Sequence, residues 1–243
     1  MLSKHQTKLI KSLAQKKYRQ QLGLFTVEGI KGITEFLNSH FELYNLFTTQ
    51  PIFKAPSELI IEISDKELKT ISSLKNPNTA LAVFKITKEK PANTDGLVIA
   101  LDAVRDPGNL GTIIRLCDWY GVTQLICSTT TVDCYNPKVV QATMGSLTRV
   151  SVNYLDLANY LETTNTTIFG TLLKGENIYS KVLPNKGIIV LGNEANGISE
   201  GIKSKINEAL TIPQFGDSPS TESLNVANAT AIVLSEFRRK TVF

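Results

Sequence analysis

The sequence predicts an α/β protein in two parts: a small mixed module over residues 1–88 and, from residue 96 to 243, a larger domain built on a parallel sheet. Three observations carry this. Beyond Gly96 short apolar runs recur, at 97–104 (LVIALDAV), 124–128 (QLICS), 149–153 (RVSVN), 168–173 (IFGTLL), 187–191 (GIIVL) and 209–212 (ALTI). Runs this apolar lack the alternation of a half-exposed strand, so they read as strands buried on both faces of a helix-covered parallel sheet. Residues 1–88 have another texture, with short helix and strand signals in alternation. Between the two, residues 88–95 (KEKPANTD) are polar and contain a proline, so residues 89–95 read as a linker.

In order along the first part, Leu9, Ile10 and Leu13 share one side of a basic helix. Leu24–Val27 reads as a strand, about Ile30 to Asn38 as a helix, and Leu43–Thr49 as a second strand. Ser64-Asp-Lys-Glu67 is a capping box, opening a helix whose apolar side carries Leu68, Ile71 and Leu74. The β-rich run Thr79–Thr87 closes the module.

Composition narrows the function. With 42% hydrophobic and 20% charged residues the chain can bury a core and remain soluble. No run approaches the ~18 apolar residues of a membrane span. The N-terminal stretch has no apolar core of the kind a secretory signal needs, so a cytoplasmic protein without a membrane partner is expected. Cys117, Cys127 and Cys134 form no CxxC pair, and with only His5 and His40 beside them no metal site is expected. Residues 1–31 hold Lys4, Lys8, Lys11, Lys16, Lys17, Arg19 and Lys31 against the single acid Glu28. This is the footprint of a surface for a polyanion, or else a solvated helix face.

Parallel sheets bind ligands at the carboxyl ends of their strands. Three loops stand out there: Asp106–Thr112 (DPGNLGT), Leu191–Gly197 (LGNEANG) and Ile212–Asn225 (IPQFGDSPSTESLN). Gly192 and Gly197 have phosphate-loop spacing, but Ile198-Ser199 follows where Lys-Ser or Lys-Thr is required. Asp106–Thr112 holds no GxGxxG fingerprint. The second half contains no histidine, and neither a carboxylate pair nor a Ser–His–Asp set can be assembled. Chemistry here would need a cofactor that brings its own reactivity.

Together the three loops resemble the signature of the SpoU (TrmH) family of RNA 2′-O-ribose methyltransferases, of the SPOUT class. The family pattern N-P-G-N-[IL]-G-[TA]-x-x-R is similar to Asp106 through Arg115, G-N-E-x-x-G to Gly192 through Gly197, and I-P-x-x-G with S-L-N-V to Ile212-Pro213, Gly216 and Ser223–Val226. Lys16–Arg19 and Phe25–Gly29 are similar, less specifically, to the family's substrate-binding domain. Asp106 replaces the usual Asn and can still cap the turn. A few extra residues lie between Gly216 and Ser223.

The resemblance implies a SPOUT domain with a trefoil knot, a homodimer, and S-adenosyl-L-methionine held by Leu173, Gly192, Asn193, Gly197, Ile212, Pro213 and Leu224. It implies a structured RNA substrate, ribosomal or transfer RNA, bound through Lys16, Lys17 and Arg19. DNA is excluded as a partner because only RNA offers the 2′-hydroxyl. Arg115, on a helix starting near Leu110, would orient the 2′-oxygen and a neighbouring phosphate and stabilise alkoxide character. In the family this arginine is proposed to take the 2′-hydroxyl proton itself, a demanding step for a guanidinium, and that role stays open. An ion pair with Glu194 is the plain structural alternative. Asn109 would hold the arginine or a phosphate, and Glu194 would fix Arg115 or cap a backbone turn. Ser223 takes the N-cap position of the last helix, and Asn225 lies in its first turn within reach of substrate. Two other readings stay open: a non-catalytic RNA-binding ribosome-assembly factor with the same fold, and a nucleotide-dependent enzyme on a doubly wound sheet.

Overall fold

A computed structural model describes residues 2–87, 95–216 and 223–239. The first eight elements are α1 (Lys4–Ser12), α2 (Lys16–Leu22), β1 (Leu24–Glu28), α3 (Ile30–Leu37), β2 (Leu43–Thr48), β3 (Ile60–Glu62), α4 (Asp65–Ile71) and β4 (Ala80–Lys85). There follow β5 (Leu97–Leu101), α5 (Pro107–Trp119), β6 (Gln124–Ser128), α6 (Pro137–Thr143), β7 (Ser151–Leu155), α7 (Leu157–Thr163), β8 (Ile168–Asn177), β9 (Gly187–Leu191), α8 (Glu200–Lys203), β10 (Glu208–Thr211) and α9 (Val226–Arg238). Contacts divide the chain into two units: residues 1–88 with 133–148, and residues 89–132 with 149–243. The extra residues between Gly216 and Ser223 lie outside the described residues, as does the stretch read as a linker apart from Asp95.

The first unit is a four-stranded mixed sheet in the order β1-β4-β2-β3, with β2 and β3 parallel and the other pairs antiparallel. All five β1 residues are buried. Ile10, Leu13, Phe47, Leu68, Ile71, Leu81 and Val83 form one core, while Phe25, Phe36, Phe41 and Phe84 stack into another. Ser64 accepts from the Glu67 N–H and Glu67 accepts from the Ser64 N–H, so the capping box forms and α4 begins where the sequence places it. The short β3 and its preceding turn carry too weak a pattern to be read from the sequence.

Two features depart from the sequence reading. The basic N-terminal stretch is two helices, because the Arg19 guanidinium donates to the carbonyls of Leu13 (2.8 Å) and Ala14 (3.0 Å), ending α1. Residues 133–148, which follow β6 in the chain, pack in the first unit. There Tyr135 lies 4.7 Å from the Phe25 ring by centroids, and Gly145 sits so close to Glu35 that a Cβ would stand 2.7 Å from its side chain.

The second unit is a six-stranded sheet in the order β10-β8-β9-β5-β6-β7, parallel at every pairing. All six apolar runs become strands. Alternation assigns the faces: Val98, Ala100, Ile126, Ile168, Ile188 and Val190 pack with Leu157 and Leu161 of α7 and Ile202 of α8. Phe169, of opposite parity to Ile168, meets Phe237 of α9 at 5.2 Å. Helices therefore cover both faces. β8 runs past its predicted end. Ala209 pairs with Gly170, but the next residue, Leu210, pairs with Glu176, so residues 171–175 leave the ladder and expose Leu173 to 77%.

Candidate active site

β5 and β9 are neighbours, and β9 is entered from β8 while β5 leads to β6 on the other side. The strand order therefore reverses between them, the position at which open α/β sheets place their ligands. The loops after these two strands carry the first and second motifs.

The first motif opens α5. Asp106 is its N-cap, accepting from the Asn109 N–H at 2.8 Å, and Pro107 takes the first helical position. That proline lacks the N–H the first turn would leave unpaired, and Asp106 satisfies another. The helix thus starts at Pro107, three residues before the predicted start near Leu110. Leu110, Gly111, Ile113, Ile114 and Cys117 are buried, leaving Thr112 and Arg115 exposed. Burial pushes the Cys117 thiol pKa far up, so it stays protonated and plays no nucleophilic part.

The second motif is a closed turn. Asn193 and Gly197 exchange backbone hydrogen bonds at 2.9 and 2.8 Å. The Asn193 amide donates to the Ala103 carbonyl at 2.7 Å, and its Oδ1 accepts from the Ala195 N–H at 2.9 Å. A Cβ at Gly192 would stand 2.1 Å from the Gly197 carbonyl carbon, so only glycine closes this turn. Gly197 itself has φ +66.

The third motif leads into α9. Its N-cap is Asn225, whose Oδ1 accepts from the N–H groups of Ala227 (2.9 Å) and Asn228 (3.3 Å). This corrects the assignment of the cap to Ser223, which lies exposed two residues earlier. Ile212 and Pro213 follow β10, and Leu224 is 48% exposed.

The three motifs meet at Asn109. Asn225 Nδ2 donates to Asn109 Oδ1 at 2.9 Å, and Asn109 Nδ2 donates to Glu194 Oε1 at 2.7 Å. Both ends fix the direction of this relay. Asn225 Oδ1 is occupied as a helix cap, so its amide nitrogen must face Asn109, and Asn109 must then turn its own nitrogen to the carboxylate. Glu194 is bound to Asn109 rather than to Arg115. Arg115 has no hydrogen-bond or ion-pair partner among the described residues. It stands six residues beyond Asn109, about 9 Å along the helix axis.

Among the basic residues singled out for RNA, Lys16 and Lys17 are exposed on α2. Arg19 is 1% exposed. Besides the two carbonyls it meets Asp133 Oδ2 through Nε (3.0 Å) and Nη2 (2.5 Å). Its donors are engaged within the fold, so it is corrected from an RNA contact to a structural residue. Among the described residues no His, Cys, Asp and Glu group could hold a metal ion, and no helix is long and apolar enough to cross a membrane.

Comparison with known proteins gives consistent matches. The SpoU rRNA Methylase family matches residues 96–235, and the MRM3-like substrate binding domain matches residues 4–82. The chain is 30% identical over 237 residues to the 23S rRNA (guanosine(2553)-2′-O)-methyltransferase RlmP of Bacillus subtilis, covering 94% of each. A solved TrmH-family protein from Porphyromonas gingivalis is 38% identical, superposes with TM-score 0.92 and is matched over 99% of both chains. The AdoMet-bound rRNA methyltransferase from Sinorhizobium meliloti is 29% identical with TM-score 0.88, over 100% of this chain and 97% of that one.

Proposed function

The chain belongs to the SpoU rRNA methylase family, and from that premise we propose how its site carries out S-adenosyl-L-methionine-dependent RNA 2′-O-methylation. The observation that carries the reading is the relay Asn225–Asn109–Glu194, which ties three distant motifs together, while Arg115, further along α5, has no hydrogen-bond or ion-pair partner among the described residues.

The loops suit the cofactor. Gly192 and Gly197 bound the turn and present no side chains, and the exposed Leu173 of β8 and Leu224 just before α9 supply apolar surface. Asn193, which closes that turn, and Ile212 and Pro213, which follow β10, complete the candidate set. When bound, the cofactor supplies an electrophilic sulfonium methyl. Arg115 acts through its N–H donors, the only hydrogen-bonding groups a guanidinium carries. Its donors orient the ribose 2′-oxygen and an adjacent phosphate, and stabilise negative charge on that oxygen as the O–H bond breaks and the hydroxyl proton passes to solvent. Asn109 and Glu194 hold the frame on which Arg115 stands; Asn225 keeps α9 in register with it, and Ser223 lies at the substrate edge.

Residues 1–88 bind structured RNA, with Lys16 and Lys17 contributing phosphate contacts. The relative covering 94% of the chain is named for 23S rRNA, which favours ribosomal over transfer RNA. Trp119 on α5 and Phe215 after β10 are each 84% exposed, apolar surface consistent with a homodimer. The family resemblance supports the trefoil knot and, with three buried free cysteines, a cytoplasmic setting.

The test is transfer of label from S-adenosyl-L-methionine to unmodified total RNA, scored as alkali-resistant dinucleotides, which only 2′-O-methylation creates. Label in such dinucleotides from large-subunit rRNA is the expected result. Label on bases, or cofactor binding without 2′-O transfer to any RNA, would overturn the reading; absent cofactor binding would favour a non-catalytic RNA-binding protein.

A further inference from the structure

We infer that Ser128, which belongs to none of the three motifs, is a positioning residue that sets the geometry of the reactive loops by holding Ala103 in a left-handed backbone conformation. The inference rests on the reading of those loops as the scaffold of the reaction.

Ala103 follows β5 and has φ +56, where its Cβ crowds its own backbone. Only a few residue types enter this region readily, and alanine is not one of them, so something outside the residue must hold it there. In an extended strand the N–H and C=O of one residue point toward the same neighbouring strand. At Ala103 they part. The N–H donates to Ser128 Oγ at 2.9 Å, at the end of β6 on one side, and the C=O accepts from Asn193 Nδ2 at 2.7 Å, just beyond β9 on the other. β5 lies between these two strands, so the left-handed conformation is what lets the two peptide groups flanking Ala103 reach opposite neighbours.

The hydroxyl of Ser128 is itself held. It lies 3.1 Å from Thr130 Oγ1 and 3.1 Å from Thr131 Oγ1, and Thr131 donates to the Leu101 carbonyl at 3.3 Å. Thr131 has used its proton on Leu101, so toward Thr131 Ser128 can only donate, which leaves its lone pairs to accept from Ala103. Ser128 is 9% and Thr131 2% exposed, conditions in which an unmet donor or acceptor is costly. The consequence runs in sequence: Ser128 sets Ala103, the Ala103 carbonyl anchors Asn193, Asn193 closes the 193–197 turn, and that turn presents Glu194 to Asn109.

The test compares the full chain with Ser128→Ala and with the double variant Ser128→Ala/Ala103→Gly. Glycine enters the left-handed region without steric cost, so it removes the need for the hydroxyl. Ser128→Ala is expected to speed amide hydrogen exchange across 193–197 and to lower kcat/KM for methyl transfer about tenfold, the worth of one buried hydrogen bond. The double variant is expected to recover protection of that turn and most of the rate. A residue that merely supports the fold would lower Tm in Ser128→Ala without recovery on adding glycine. Wild-type exchange and rate in Ser128→Ala, or a double variant no better than the single, would overturn the inference. If Ser128→Ala does not fold, a cooperative melt regained in the double variant supports it and continued unfolding overturns it. Exchange is read without RNA or cofactor, so failure of the methylation reading would leave this test standing on its own.

Discussion

Arg19 and Arg115 lie in different units, and both stood out in the sequence as candidate contacts for RNA or for its reacting oxygen. Arg19 is buried, with its donors divided between two helix-ending carbonyls and Asp133. Arg115 is exposed, on a helix whose other motif residues are tied down, and has no partner among the described residues. Charge alone did not separate them. The surroundings did: Arg19 sits in a run of cations that includes solvated Lys16 and Lys17, whereas Arg115 stands exposed on α5, the helix that the Pro107-Gly108 turn opens at a strand end. A cation satisfied inside the fold stabilises it; one left unsatisfied on a rigid support is available for a ligand.

The widest separation is expected from Arg115→Ala, with a loss of transfer of about 10²–10³-fold, comparable to removing one preorganised donor from a developing oxyanion, and an unchanged Tm. Arg19→Ala should reverse the pattern. It leaves the half-buried Asp133 without its cation and two carbonyls without their donor, at a cost of about 3 kcal/mol, read as a drop in the melting midpoint of the first unit. Asp133→Ala should cost a similar amount, and the double variant less than the sum of the singles.

Asn225→Asp sharpens the comparison within the site. The cap survives, because a carboxylate still accepts from the Ala227 and Asn228 N–H groups, but the donor to Asn109 is lost. Transfer is expected to fall about tenfold with α9 intact; an equal fall in Asn225→Ala with no further loss of stability would show that the cap contributes nothing. Lys16→Ala and Lys17→Ala should leave turnover at saturating RNA unchanged, weaken RNA binding, and each reduce the salt slope by about 1. The smallest effect belongs to Glu67, held at a pKa of about 2, below its ordinary 4.5, chiefly by the Ser64 and Leu2 N–H groups. Its folded pKa is depressed, so its contribution is complete above about 4.5 and is lost as pH falls toward 2. Glu67→Gln should flatten the first unit's stability across that window and change little at pH 7.

The fold was legible where local chemistry decides it. Six apolar runs became six parallel strands, and Asp106 caps the turn as its position before Pro-Gly suggested. The capping box at Ser64 formed for the same reason. Tertiary contacts hid the rest. Nothing in the chain near Leu13 breaks a helix; the break comes from Arg19, and Arg19 is buried because Asp133, over a hundred residues later, closes on it. The five-residue excursion in β8 depends on pairing with β10, which periodicity within β8 cannot show. At the site, the three motifs were readable as loops at strand ends, but their junction at Asn109 was not, since hydrogen-bond direction follows only once Asn225, rather than Ser223, is known to cap α9.

The most direct measurement is alkali-resistant dinucleotide formed per folded molecule by wild type, Arg115→Ala and Arg19→Ala below all their melting midpoints. Transfer is expected to fall about 10²–10³-fold in Arg115→Ala at wild-type Tm and to persist in the folded fraction of Arg19→Ala at reduced Tm. Transfer retained by Arg115→Ala, or lost from fully folded Arg19→Ala, would contradict this expectation.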